Sequence, residues 1–367
     1  IWACLFMICT LSMRRHGLPL IATPLSPNCT VRWSMVAVSL LSITQQNRER
    51  ARLRRKICIA LKKILSLKRL KKYLQMKNPF TGAGVALVTP FLENEQIDFD
   101  ALRRLVRMQI DEGTDFLVVQ GTTGESPVLT QEEKMEVLQT VIDENKGQLP
   151  IVYGVGGNNT RALEGIFSKL PNGVDGILSV SPYYNKPIQK GIVEHFKMVA
   201  SYTDLPIILY NVPGRTGSNM TPETTLALSE IPNIVAVKEA SGNMEQIMEI
   251  IRLRRPDFGV LSGDDNLTMP LIAAGADGVI SVVANAFPKK FSTMVHASMT
   301  GDLDTARKEH YDLFNITKMF FEEGNPGGVK VSLNVQNIML EKMRLPLHPV
   351  SEGLRQRITT ETQSILA

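Results

Sequence analysis

Residues 206–240 read PIILYNVPGRTGSNMTPETTLALSEIPNIVAVKEA. Two short apolar runs, PIILYN (206–211) and IVAVKEA (234–240), bracket a polar stretch, and each ends in a residue able to do chemistry, Tyr210 in the first and Lys238 in the second. A run that is apolar at nearly every position suits a strand buried on both faces, the condition of a parallel sheet covered by helices. The pattern recurs in GVALVTP (84–90), FLVVQG (116–121), IVYGVG (151–156), GILSVSP (176–182), GVLSGDD (259–265) and GVISVVA (278–284), so there are eight runs. Intervening stretches such as DFDALRRLVRMQIDEG and TQEEKMEVLQTVIDEN repeat apolar residues every three or four positions, as amphipathic helices do. Eight strand–helix units predict an α/β fold, a (β/α)8 TIM barrel over 76–299 with a C-terminal helical region over 300–367 packed on one side. A doubly wound open sheet is the alternative, but no GxGxxG follows the first run.

The composition divides the chain. Residues 1–75 hold 15 of the 41 Lys and Arg and one of the 36 acids, together with all four cysteines and both tryptophans, so the net charge is +14 there and −9 in the remainder. We expect this basic extension to be upstream sequence or a targeting segment outside the fold; the other reading is an amphipathic helix for a membrane surface or nucleic acid. Its longest uncharged runs are too short to cross a bilayer. From Met76 onward the absence of cysteine removes thiol nucleophiles and thiolate metal sites.

In a barrel of this kind the strand ends gather on one rim, where active sites lie. The runs end in GTTGES (121–126), PYYN (182–185), YNVPGRTG (210–217), KEASG (238–242) and SGDD (262–265). Lys238 closes an otherwise apolar strand. An ammonium pressed against apolar walls loses solvation, which favours the neutral, nucleophilic amine, although lysines at strand ends also commonly snorkel to water. Tyr210 offers a phenol that can pass protons without a fixed charge, or else a packed aromatic. Thr122 and Thr123 supply hydroxyls that can hold a carboxylate or relay protons, and GTTGES lacks the lysine and spacing of a phosphate-binding loop. Arg215 presents a planar fork suited to a carboxylate, or a surface ion pair. Successive residues of an extended segment face opposite ways, so Tyr183 and Tyr184 can serve two different places. None of the histidines, His16, His195, His296, His310 and His348, sits in a strand-end motif, and Asp264 and Asp265 are expected to cap a helix beginning near Asn266. No metal or cofactor is expected, and no GxSxG elbow is present.

Together GTTGES, PYYNKP, LYNVPGRTG, VKEASGN, LSGDD and GVISV, in this order, resemble the dihydrodipicolinate synthase (4-hydroxy-tetrahydrodipicolinate synthase) family from about Met76 to the end. The resemblance implies a class I aldolase-type lyase that condenses pyruvate with L-aspartate-4-semialdehyde on the diaminopimelate route to lysine. It implies Lys238 as the Schiff-base lysine, Tyr210 as the proton shuttle, and Thr122 linking Tyr210 to Tyr184 of the partner subunit. Thr123 would hold the pyruvate carboxylate, Arg215 the semialdehyde carboxylate, and backbone near Gly263 and Ile280 would line the pyruvate pocket. A homotetramer of two tight dimers is implied, with no nucleic-acid or membrane partner. The setting is cytoplasmic, or plastid if residues 1–75 are a transit segment. The same barrel and lysine serve N-acetylneuraminate lyase and 2-keto-3-deoxy sugar-acid aldolases, against which Arg215 and the tyrosine pair argue. Of the positions that bind inhibitory lysine in regulated members, Tyr183 and Asn158 are kept, Ala162 replaces a glutamate, and Gln131 and Lys134 stand at the histidines. Glu164, two residues along a helix, would face elsewhere, which implies weak or absent lysine feedback.

Overall fold

The computed structural model describes residues 78–367, so the expectations for residues 1–75 lie outside the described residues. Eight strands form the barrel: β1 (Gly82–Ala86), β2 (Phe116–Val119), β3 (Ile151–Gly154), β4 (Gly176–Val180), β5 (Ile207–Asn211), β6 (Ile234–Glu239), β7 (Gly259–Ser262) and β8 (Gly278–Ser281). Each pairs in parallel with the next, and β8 closes on β1 with Gly82 opposite Gly278 and Val85 opposite Ser281. The strands are shorter than the apolar runs for a visible reason. Beyond Ala86 the Val88 N–H donates to Asn285 Oδ1 (3.1 Å), and beyond Ser281 the Val282 N–H donates to Asp265 Oδ2 (3.1 Å). Side chains at the rim thus take backbone groups away from the ladder.

The helices between strands are α1 (Phe99–Asp111), α2 (Gln131–Asn145), α3 (Glu164–Phe167), α4 (Gln189–Ser201), α5 (Pro222–Ser229), α6 (Met244–Leu253), α7 (Thr268–Ala273) and α8 (Pro288–Thr300). Their starts carry local signals. Asp98 caps α1 through the Ala101 N–H (2.9 Å), and Thr130 and Glu133 form a reciprocal capping box on α2. After the barrel come α9 (Leu303–Glu322), α10 (Gly327–Val335) and α11 (Glu352–Leu366). Helix α9 packs along α8 on the barrel's side. Helix α10 and the segment before it also reach the rim: Asn325 Nδ2 donates to Thr123 Oγ1 (3.0 Å) and Lys330 Nζ to the Thr89 carbonyl (2.9 Å).

Alternation along each strand separates two cores. Ile207, Leu209, Val237, Val260 and Val279 face the helices, whereas Ile208, Tyr210, Ala236, Leu261 and Ile280 fill the barrel interior. Phe80 and Phe116 belong to that interior cluster, their ring centroids 5.8 Å apart. Gly84 makes room for Phe116, since a Cβ there would lie 2.2 Å from its ring, and Gly176 does the same for Phe80 (2.3 Å). Among the described residues no helix is long and apolar enough to cross a membrane.

Candidate active site

The inward alternation that places Tyr210 one step above Ile208 also places Lys238 one step above Ala236, and the two are direct partners in the β5–β6 register. Lys238 is 6% exposed, and its Nζ lies 4.6 Å from the centroid of the Tyr210 ring. The ammonium does not snorkel out to solvent. Next on the rim, the Gly263 N–H donates to the Glu239 carbonyl (2.7 Å), binding the end of β7 to that of β6. A Cβ on Gly263 would stand 2.5 Å from Ala240 Cβ and 3.1 Å from Lys238 Cε, so a larger residue there would press on Ala240 and crowd the lysine. Ile280, fully buried in β8, completes this wall.

Opposite, Thr122 and Thr123 occupy a 3-10 turn directly after β2, and Thr123 is buried with its hydroxyl oxygen accepting from Asn325. A cavity of about 530 Å³ is lined by Thr122, Tyr210, Val212, Arg215 and Asn325; Lys238, Thr123, Gly263 and Ile280 are not among its lining residues, and Lys238 adjoins it through the Tyr210 ring. Arg215 sits in the single helical turn Pro213–Thr216, exposed, and forms no ion pair with the described residues. The surface ion pair expected as the alternative is therefore not made among them, and the guanidinium faces the cavity free to take a ligand.

The tyrosine pair divides. Tyr183 lines the same cavity alongside Gln131, Lys134 and Tyr153, and its carbonyl accepts from Asn158 Nδ2 (3.3 Å). Tyr184 is not among the lining residues; it is 87% exposed with φ at +73°, and its chain's own Thr122 and Tyr210 form no hydrogen bond with it. Burial lowers the Lys134 pKa. Ala162 and Glu164 do not share an α-helix as expected: Ala162 lies in the 3-10 turn Thr160–Leu163 and Glu164 opens α3, both exposed.

Asp264 and Asp265 also need correction. Neither side chain caps the following turn. Asp265 is buried and accepts from the N–H groups of Val282 and Val283, tying β7 to β8, and burial pushes its pKa up to about 6 against the opposing pull of those hydrogen bonds and of the Lys238 ammonium. Burial likewise raises Asp264. Sequence reasoning missed Glu239, the outward neighbour of Lys238. Its buried carboxylate is raised by desolvation, against hydrogen bonds from Gln246, Asn211 and Ser241. The alternation of the strand carried the signal, because an acid next to an inward lysine must face the helix layer and find partners there. Among the described residues no three His, Asp or Glu side chains converge to hold a metal ion.

The family model for the dihydrodipicolinate synthetase family matches residues 79–365. A 4-hydroxy-tetrahydrodipicolinate synthase from Parabacteroides distasonis is 52% identical over 270 residues, covering 73% of this chain and 91% of that protein. The crystal structure of dihydrodipicolinate synthase from Aquifex aeolicus superposes with a TM-score of 0.75 at 41% identity, covering 78% of this chain and 98% of that one. A structure described as the first monomeric dihydrodipicolinate synthase variant superposes with the same TM-score at 39% identity, covering 77% and 97%.

The contact at Gly263 gives a direct test of the wall behind the lysine. Gly263→Ala should fold but reduce the reactivity of Lys238 toward a small 2-oxo acid, read as a borohydride-trapped adduct by mass, by about tenfold to a hundredfold. Unchanged reactivity would show that Ala240 and the lysine shift aside without consequence.

Proposed function

The chain belongs to the dihydrodipicolinate synthetase family, and we infer from that premise that it condenses pyruvate with L-aspartate-4-semialdehyde as a lyase of class I aldolase type, in lysine biosynthesis. The observation that carries the inference to this chain's own residues is the Lys238 amine, buried at the rim beside the Tyr210 ring. The amine adds to the pyruvate ketone and, with loss of water, becomes an imine. Loss of a methyl proton gives an enamine whose carbon adds to the aldehyde of the second substrate. Attack of the semialdehyde's amino group on the imine carbon then closes the ring and releases Lys238.

Each side chain takes a role that its placement supports. Tyr210, the register partner of Lys238, moves protons at the imine. Thr123 and the backbone near Gly263 and Ile280 hold the pyruvate carboxylate and wall its pocket, and Thr122 relays protons from Tyr210. Arg215, free of carboxylate partners among the described residues, binds the semialdehyde carboxylate. A sugar-acid substrate would leave that guanidinium without an anion, and the relatives' names favour the amino-acid aldehyde. Tyr184 is highly exposed and lines no part of its own chain's cavity, which supports its use as Tyr184 of the partner subunit in a dimer, with two such dimers forming a tetramer. Lysine feedback is weak, because Ala162 offers no carboxylate to an α-ammonium group and Lys134 sets a cation in the same cavity.

Three measurements test this reading. Borohydride with pyruvate should fix an adduct on Lys238, abolished in Lys238→Ala, and the wild type should then consume aspartate semialdehyde far faster than N-acetylmannosamine; an adduct on any other lysine overturns the assignment. Mixing inactive Tyr184→Phe with inactive Lys238→Ala chains under subunit exchange should return part of the activity, and verified exchange without recovery rules out a shared site. Initial rates should stay within about twofold up to roughly 10 mM lysine, given that a missing charge-assisted hydrogen bond lowers affinity by about tenfold or more. Saturable inhibition below about 1 mM would show that other groups recruit the ligand.

A further inference from the structure

Lys330 is a fully buried lysine that the chemistry above does not use. It lies on α10, yet all three of its ammonium protons leave the helix: one goes to the Thr89 carbonyl (2.9 Å), one to the Lys342 carbonyl (2.8 Å) and one to the Glu125 carboxylate. The Phe91 ring packs against both this ammonium and the Arg344 guanidinium, 4.5 and 4.7 Å from its centroid. Glu125 is itself buried, and its second oxygen accepts from the backbone N–H of Arg344 (3.3 Å). It stands directly between the Thr122–Gly124 turn and the Ser126–Val128 turn, with φ at +54°, a left-handed conformation that an L side chain avoids unless its surroundings hold it there. Two residues earlier, Thr123 is gripped from the same C-terminal region by Asn325.

We propose that Lys330 is a positioning residue for the reaction: through Glu125 it fixes the loop that presents Thr122 and Thr123 to the substrate. The ion pair acts on a loop, and on one side of the site. The β5–β6 pair that carries Tyr210 and Lys238 is held by its own ladder and by the Glu239 network, and none of the Lys330 ammonium's hydrogen bonds reaches it. Loss of the pair should therefore disturb pyruvate binding and proton relay while leaving the lysine and the semialdehyde's Arg215 in place. The pair is a poor candidate for simple stabilisation, since a buried salt bridge contributes little compared with apolar residues of the same volume.

The inference rests on the substrate roles given above, and the test separates the two. Glu125→Gln retains size and an acceptor oxygen; the double variant Lys330→Met with Glu125→Leu replaces the pair by apolar groups and guards against the unfolding that a single unpaired charge can cause. In both, KM for pyruvate should rise about tenfold and kcat fall, with KM for the semialdehyde within about threefold of wild type. Hydrogen exchange should quicken about tenfold at residues 121–129 and stay unchanged in β5 and β6. Wild-type KM values with slow loop exchange, or exchange quickened evenly across the barrel, would make the pair purely structural and overturn the proposal. If wild-type enzyme fails to trap pyruvate, the functional reading falls, and the exchange pattern alone decides whether Lys330 holds the loop.

Discussion

Closure of the parallel sheet is the constraint from which the rest follows. Eight strands that each pair in parallel with the next, β8 returning to β1, have no free edge, and all their carboxyl ends must lie on one rim. Side chains on alternate positions must then point into a space too narrow for more than a few of them. Phe80 and Phe116 take part of that space, beside glycine. At the rim the inward positions fall to Tyr210, Lys238 and Gly263. An amine in such a place is shielded from water by geometry before any catalytic argument is made, and the phenol beside it is there because the register of β5 and β6 allows nothing else.

This explains which parts of the site were legible in the sequence. Lys238 and Tyr210 sit at the ends of apolar runs, and period-two alternation is a local property, so their inward direction follows from the residues beside them. Thr122, Thr123 and Arg215 occur in strand-end loops, where the motifs GTTGES and VPGRTG, and not alternation, single them out. The eight-unit count gave the barrel itself, though the run 84–90 overshot β1, because no local pattern announces that Asn285 will take the Val88 N–H from 197 residues away.

The misses share one cause, which is distance along the chain. Asp264 and Asp265 looked like helix caps because the helix was the nearest partner visible; in the fold Asp265 turns to backbone 17 residues on. Glu239 finds Asn211, 28 residues back, and Gln246. The reach of the C-terminal region to the rim was out of view for the same reason, since Asn325 and Lys330 act on residues more than 200 positions earlier. Local periodicity gives the direction of a side chain, and only the closed topology gives its partner.

The separation of 205 residues between Glu125 and Lys330 also sets an order of events during synthesis. A ribosome completes all eight strands, and with them the whole β5–β6 wall, before it adds the residue that neutralises Glu125. Until then the Glu125 carboxylate lacks its ammonium, and burying it unpaired is costly, so the loop after β2 can take its final place only once α10 has joined the fold.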